Sequence, residues 1–439
     1  MTSLMPPASR LRRALVLSTG GAGVARIVGA LGGLLVARLL GPSGRGELAL
    51  LVLFATVMSM ACAAGVQFWI ARDVAQSGGV RSAAWIARAH VTVVLLVTAF
   101  VTLGAVVAVN FWGGTDVVTA VAACAFGGTA ACALVVLALP NGMRAMGVVA
   151  MGTVVAAVAY AGTAAALLAA GVESSALVLT GGILGSLLTI AIVAVWMRHA
   201  PRGVRVETRG GAEYRRAVRF GIPAGLGELV LLAMLRVDVL IVACFLPLRA
   251  VGLYAVAVAL TEVLWIVPDG VAQVVLPTTA RDPQHSRTGK LLWITVLLTA
   301  GAGMVMVLVA RTVLDLGFGS RFVGADAAVP WLVVAACAGG VWKVLAAEVV
   351  ARGSTTPRLT SAVAGLVVMV AVDLVAIPRM GIAGAGLGSA IGYGAAAVVV
   401  AGAWAQLCRS SARAVAVVVD TAVATPIATP VRAVAEVSG

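Results

Sequence analysis

VVTAVAACAFGGTAACALVVLAL, residues 117–139, runs without a charged side chain between Asp116 and Pro140. A helix of that length rises roughly 35 Å, enough to cross the roughly 30 Å of hydrocarbon in a bilayer. A strand reading fails, because an open strand leaves its N–H and C=O groups unpaired in lipid and the run lacks the polar/apolar alternation of a barrel. The stretch is a membrane-spanning helix, and its kind recurs along the chain. Apolar windows bounded by charge, Gly or Pro fall at 15–37, 47–69, 86–109, 117–139, 146–170 and 176–197, then at 221–245, 251–276, 291–313, 327–349, 359–376 and 384–407.

Composition agrees with twelve spans. Of 439 residues, 62% are hydrophobic and 11% charged, with mean hydropathy +1.09, an apolar surplus that no soluble core absorbs. The formal charge of +14 is scattered between apolar runs rather than gathered on one soluble face, which argues against nucleic acid as a partner. The six cysteines lie within or at the ends of apolar runs and include no CxxC pair, so they are expected to pack as small apolar residues. Arg10, Arg12 and Arg13 precede an apolar stretch that continues past Val36 without an early A-x-A site, so an uncleaved first helix is expected rather than a signal peptide.

Charge orients the spans. With the N-terminus in the cytoplasm, 22 of the 31 Lys and Arg residues fall on the cytoplasmic side and six on the other; Arg26, Arg236 and Lys343 lie within spans. The basic segment RHAPRGVRVETRGGAEYRRAVR, 198–219, divides two sets of six spans. LLGPSGRGELAL (39–50) lies on FLPLRAVGLYAV (245–256) at an offset of 206, placing Gly46 on Gly252, and GVESSALVLTGG (171–182) lies on GIAGAGLGSAIG (381–392) at an offset of 210. An even number of spans separates the copies, so the repeat is parallel. The expected fold is an all-α polytopic membrane protein with 12 transmembrane helices in two six-helix lobes, related by a pseudo-two-fold axis along the membrane normal. Its expected divisions are a cytoplasmic tail at 1–14, an N-lobe at 15–197, the basic cytoplasmic linker at 198–219, a C-lobe at 220–407 and a poorly ordered cytoplasmic tail at 408–439. Gly29/Gly33, Gly181/Gly185 and Gly384/Gly388/Gly392 are candidate sites of close helix approach.

Charged side chains at membrane depth cost about 2.5–3.5 kcal/mol each and mark wet cavities or buried pairs. Arg26, Arg236 and Lys343 are candidates to line a cationic central cavity suited to a diphosphate. Glu228, Asp238, Glu262, Asp269 and Glu348 are candidate ion-coupling or pairing acids, for a proton or sodium gradient or simply for holding helices together. Eight residues place Glu228 near the face of Arg236, whereas Asp238 is turned away, and Lys343 is within reach of Glu348 for structural pairing. Pro268 with Asp269 suggests a kink in the eighth span. No cofactor or metal is expected. His90, His199 and His285 have no neighbouring ligand or nucleophile in the sequence, and the extracytoplasmic loops are short, so enzymatic chemistry is not expected.

ARIVGALGGLLVARLLGPSGRGELAL (25–50) and LRVDVLIVACFLPLRAVGLYAVAVALTEVLWIVPDGVAQVVLP (235–277) resemble the polysaccharide repeat-unit flippases of the Wzx type, in the multidrug/oligosaccharidyl-lipid/polysaccharide exporter superfamily. The resemblance covers most of 15–407. It implies alternating access, a place in the bacterial inner membrane, and an undecaprenyl-diphosphate-linked oligosaccharide as cargo, with membrane lipid, the polysaccharide polymerase and the export machinery as candidate partners. Two sister branches are alternatives. Lipid II-type flippases resemble the first span and place an arginine on Arg26, but the second arginine they carry one to two turns later matches none between Gly29 and Val36. Cation-coupled multidrug antiporters often carry an acid in the first span, where this chain has arginine only.

Overall fold

The computed structural model describes residues 8–112, 116–201, 211–281 and 288–424, and among these it holds helices and no strand. The first half is α1 (Ala8–Ala63), α2 (Val66–Ser77), α3 (Arg81–Trp112), α4 (Val117–Gly142), α5 (Met146–Ala170) and α6 (Ser175–His199). The second is α7 (Gly211–Phe245), α8 (Leu248–Thr261), α9 (Ile266–Arg281), α10 (Thr288–Val313), α11 (Val329–Ala351), α12 (Thr356–Met380) and α13 (Ile382–Ala424). Ten described segments are long and apolar enough to cross a membrane. The first of them, Gly23–Ala63, makes two crossings, because Gly41 turns the chain at φ 65° and Pro42 follows it. Only glycine takes that conformation cheaply, and proline restarts a helix without needing the donor it lacks. α7, 35 residues long, supplies the twelfth crossing.

Local chemistry sets the helix ends. The Asp116 carboxylate accepts from Thr119 N at 3.1 Å and the Ser174 hydroxyl from Leu177 N at 3.4 Å, capping α4 and α6. Gly171 and Gly381, at φ 66° and 62°, close α5 and α12, so the second stretch of the internal repeat marks the same turn in both halves. The eighth crossing is interrupted where Pro268 denies its N–H to the carbonyl of Leu264: a 3-10 turn, Glu262–Trp265, separates α8 from α9. α13 continues as helix through Ala424 instead of giving way to a tail at 408, and α7 begins at Gly211, inside the segment read as a linker. Residues 202–210 of that segment and 425–439 of the tail lie outside the described residues.

Packing separates two lobes. α1 packs on α5 and α4, and α4 and α5 on α6, around Val36, Leu48, Ala123, Ala164 and Val178. In the second half α13 packs on α12 and α11, with α9 and α10 on α11, around Met234, Leu345, Met369 and Ala396. α3 and α10 lie at the outside: Phe100 is 78% exposed and Leu308 75%, exposure that lipid relieves. Gly181 and Gly185 sit against the backbone of α5 at Tyr160 and Ala156, and Gly384 and Gly392 against α12, as expected for close approach. Gly29 behaves differently. A methyl group there would meet nothing, because Gly29 and Gly33 face a cavity.

The lobes share the apolar packing of Ala37 and Leu53 with α7 and α8, and backbone meets backbone at two ends of one helical run. Gly46 lies against Leu248 O and the Gly252 backbone, and Gly252 lies reciprocally against Pro42 O and the Gly46 backbone. Each partner is 206 residues from its counterpart, so the pseudo-two-fold axis passes between these glycines. Roughly 30 Å away along the helix, Gly65 abuts Gly221 and Gly225 of α7. His90 holds this second end: its Nε2–H donates to the carbonyls of Cys62 and Ala63 at 3.1 Å, and its Nδ1 accepts from the Tyr214 hydroxyl at 2.9 Å. The histidine pins the left-handed break at Ala64 and Gly65 to the start of α7. At the first end, Arg38 donates to the carbonyls of Leu316 and Gly317 at 2.6 Å each, satisfying free C=O groups where α10 ends.

Candidate substrate cavity

Between the lobes lies a cavity of about 660 Å3. α1, α7, α8, α9, α11 and α13 contribute to its wall, so both lobes do. Arg26, Arg236 and Lys343 all line it, together with Asp238, Glu262 and Asp269. Residues at 26, 236 and 343 share one space because the broken crossings α1 and α8/α9 face each other across the lobe boundary.

The cations are neutralised unequally. Arg236 donates to Glu262 Oε1 at 2.6 Å, both side chains being well exposed to the cavity. The acid paired with Arg236 is thus Glu262, at the start of the 3-10 turn, and not Glu228, which does not line the cavity. Asp269 accepts from Arg26 NH2 through Oδ2 and from Lys343 Nζ through Oδ1, each at 2.5 Å, and Lys343 also stands 4.4 Å from the centre of the Trp265 ring. Pairing of Lys343 with Glu348 is likewise corrected. Glu348 is fully buried and takes both Arg352 nitrogens, at 2.8 and 2.9 Å, on one oxygen and the hydroxyls of Thr279 and Thr288 on the other. It ties α9 and α10 to the end of α11. Glu348→Ala is expected to leave Arg352 and two hydroxyls without their acceptor and to destabilise the protein by about 3–5 kcal/mol, measured as a loss of thermal stability in detergent.

A fourth cation completes the lining. Arg45, which the sequence places in the turn between the first two spans, is turned into the cavity beside Gly33. Its Nε is buried without a hydrogen-bond partner, and no ion pair reaches it among the described residues. The only sequence signal for it was a charged residue flanked by glycines at 44 and 46, within reach of the helix turn.

Asp238 belongs to a separate buried group. It accepts from Tyr254 Oη at 2.5 Å, Ser389 Oγ at 3.0 Å and its neighbour Val239 N at 2.7 Å. Asp373 is fully buried nearby, packed on Gly388 of α13, and neither of its carboxylate oxygens has a hydrogen-bond partner. Among the described residues no three His, Cys, Asp or Glu side chains gather as a metal site.

Two helical lobes with a charged cavity between them define a multi-pass membrane protein whose candidate site is shared by its two halves. Residues 11–282 match the polysaccharide biosynthesis protein family, and the chain belongs to that family. No curated protein matches it. Among solved structures, the lipid II flippase MurJ in an inward closed conformation superposes with a TM-score of 0.71 at 11% identity, over 88% of this chain and 86% of that one. An outward-facing multidrug resistance MATE family transporter follows with a TM-score of 0.64 at 15% identity, over 90% and 96%. A Vibrio cholerae MATE transporter gives 0.64 at 14% identity, over 92% and 98%. Identities this low carry the fold, twelve helices in two lobes.

Proposed function

We propose that this protein is a flippase that carries an undecaprenyl-diphosphate-linked oligosaccharide from the cytoplasmic to the outer leaflet of the bacterial inner membrane by alternating access. The observation that carries this reading is the cavity's unbalanced cations: Arg26, Arg236 and Lys343 share Asp269 and Glu262, and no counter-ion reaches Arg45 among the described residues. A diphosphate meets such a set well, since guanidinium groups give paired donors to phosphate oxygens and lysine adds a point charge. A cationic drug would gain nothing from Arg45. The lobes at 15–197 and 220–407 rock about the cavity, with both termini and the basic 198–219 segment in the cytoplasm, where the excess of Lys and Arg belongs. Membrane lipid surrounds the protein, and the polymerase and export machinery act downstream.

Asp238 and Asp373 supply the coupling. A carboxylate with no donors, held in an apolar wall beside a second carboxylate, is stable only with a proton or a small cation between them. Asp373→Asn is expected to make export independent of the ion gradient while cargo still binds, measured as export with and without an ionophore.

The test of the reading is complementation of a repeat-unit flippase deletion, with lipid-linked intermediates measured on each face of the membrane. Intermediates should move to the outer face with this protein and accumulate inside with Arg26→Ala. Glycan export untouched by Arg26→Ala, with dye-cation efflux lost instead, would place the chain with the multidrug antiporters.

A further inference from the structure

Asp269 serves two cations that belong to different lobes. Arg26 rises from α1 of the N-lobe and Lys343 from α11 of the C-lobe, and each takes one oxygen of the same carboxylate at 2.5 Å. Both oxygens are thereby used. The group is still 19% exposed, on the cavity wall rather than sealed behind it. A permanent structural carboxylate looks different in this protein: Glu348 is fully buried and holds four donors.

The segment that carries Asp269 is built to move. It follows the 3-10 turn Glu262–Trp265 and Pro268, which break the backbone ladder, and precedes Gly270, where an added methyl group would meet nothing. No backbone-to-backbone glycine contact fastens this part of α9 to α1, in contrast with Gly65 against Gly221 or Gly46 against Gly252. The ion pair between Arg26 and Asp269 is a polar tie from α9 to α1, and it crosses from one lobe to the other.

We propose that Asp269 is a displaceable counter-ion. In the empty carrier it occupies the two cations that the cargo's diphosphate engages, and cargo binding releases it and frees α9 from α1. The inference rests on the cavity being a diphosphate site. A diphosphate carries more charge than one carboxylate and offers oxygens at comparable spacing, so it replaces Asp269 on Arg26 and Lys343 and adds Arg45. Competition has two effects. It weakens cargo affinity, which a carrier needs in order to release, and it converts binding into a change in lobe contact, because the ligand favours the arrangement in which the tie is open. Asp269 is thus a positioning residue that couples occupancy to movement.

The test is binding of undecaprenyl diphosphate, and separately of inorganic pyrophosphate, to the full-length protein in lipid nanodiscs. Asp269→Asn, with Asp269→Ser as a second neutral variant, should bind about tenfold more tightly than wild type while exporting less, and Asp269→Glu should restore both. A residue that only braces the fold would lower affinity or leave it unchanged when neutralised. A gain with both probes assigns the competition to the diphosphate group, and a gain with the lipid alone assigns it to the lipid-borne form. Wild type that binds while neither neutral variant gains overturns the role of Asp269 and leaves the cavity reading standing. Wild type that binds neither probe overturns the diphosphate reading and this inference with it.

Discussion

Gly46→Ala or Gly252→Ala is expected to abolish export in a protein that still inserts and folds. A methyl group at Gly46 would overlap Leu248 O and stand 2.9 Å from Gly252 N; one at Gly252 would overlap Pro42 O and stand 3.0 Å from Gly46 N. The obstructing atoms are helix backbone, which cannot turn aside as a side chain can, so the two helices must part. Overpacking of this kind costs about 1–3 kcal/mol. The cost falls on the arrangement closed at this end, and a shift of that size changes the conformational ratio by about fivefold to 150-fold. Either methyl group already separates the helices, so the double variant should be less than additive. The measurement is outside labelling of a cysteine placed at Ala259, on the cavity wall, by a membrane-impermeant thiol reagent. Labelling should rise in both glycine variants and stay at the wild-type level in Gly394→Ala, where a methyl group meets nothing. Unchanged labelling and export in Gly46→Ala and Gly252→Ala would mean that this contact is not a gate.

Arg45→Ala should give an opposite pairing of effects: weaker cargo binding and equal or greater stability. The other cavity cations each have a carboxylate partner in the empty protein, Arg236 on Glu262 and Arg26 with Lys343 on the shared Asp269. Arg45 has a buried, unpaired Nε and gains most when an anion arrives. Hydrogen bonds to charged groups contribute about 1.5–3 kcal/mol, so loss of Arg45 should weaken undecaprenyl-diphosphate binding about 10- to 100-fold. Removing an unsatisfied buried donor relieves a cost of about 1–3 kcal/mol in the empty protein, so the thermal midpoint should hold or rise. Arg26→Ala differs, because Asp269 keeps Lys343 and loses only its cross-lobe partner. A fall in thermal midpoint for Arg45→Ala without a loss of affinity would make Arg45 structural.

Several elements of this protein were readable from local sequence. The uncharged run 117–139 becomes α4 with Asp116 as its cap, and the offset that lays Gly46 on Gly252 marks equivalent positions in two lobes. Arg26, Arg236 and Lys343 were recognisable because a cation at membrane depth is costly wherever the helix ends up. Their partners were not. Arg26 meets Asp269 across 243 positions, and helical spacing alone favoured Glu228 for Arg236 and Glu348 for Lys343, neighbours on one helix that the tertiary structure turns to other duties. Arg45 read as a loop cation because hydropathy ends the first span before it, whereas the turn at Gly41 and Pro42 folds it back into the cavity.

Gly29 and Gly33 show the same division. Their spacing is that of close helix packing, yet they line open space, while Gly46 and Gly252, paired only through the repeat, touch at the pseudo-two-fold axis. Hydropathy, charge count and helix punctuation are properties of short windows, so the sequence by itself determined twelve crossings, their order and the residues too polar for lipid. Which cation meets which acid, which glycine packs and which opens, and that Asp373 stands without a donor depend on distances between segments far apart in the chain, and only the docking of the two lobes decided them.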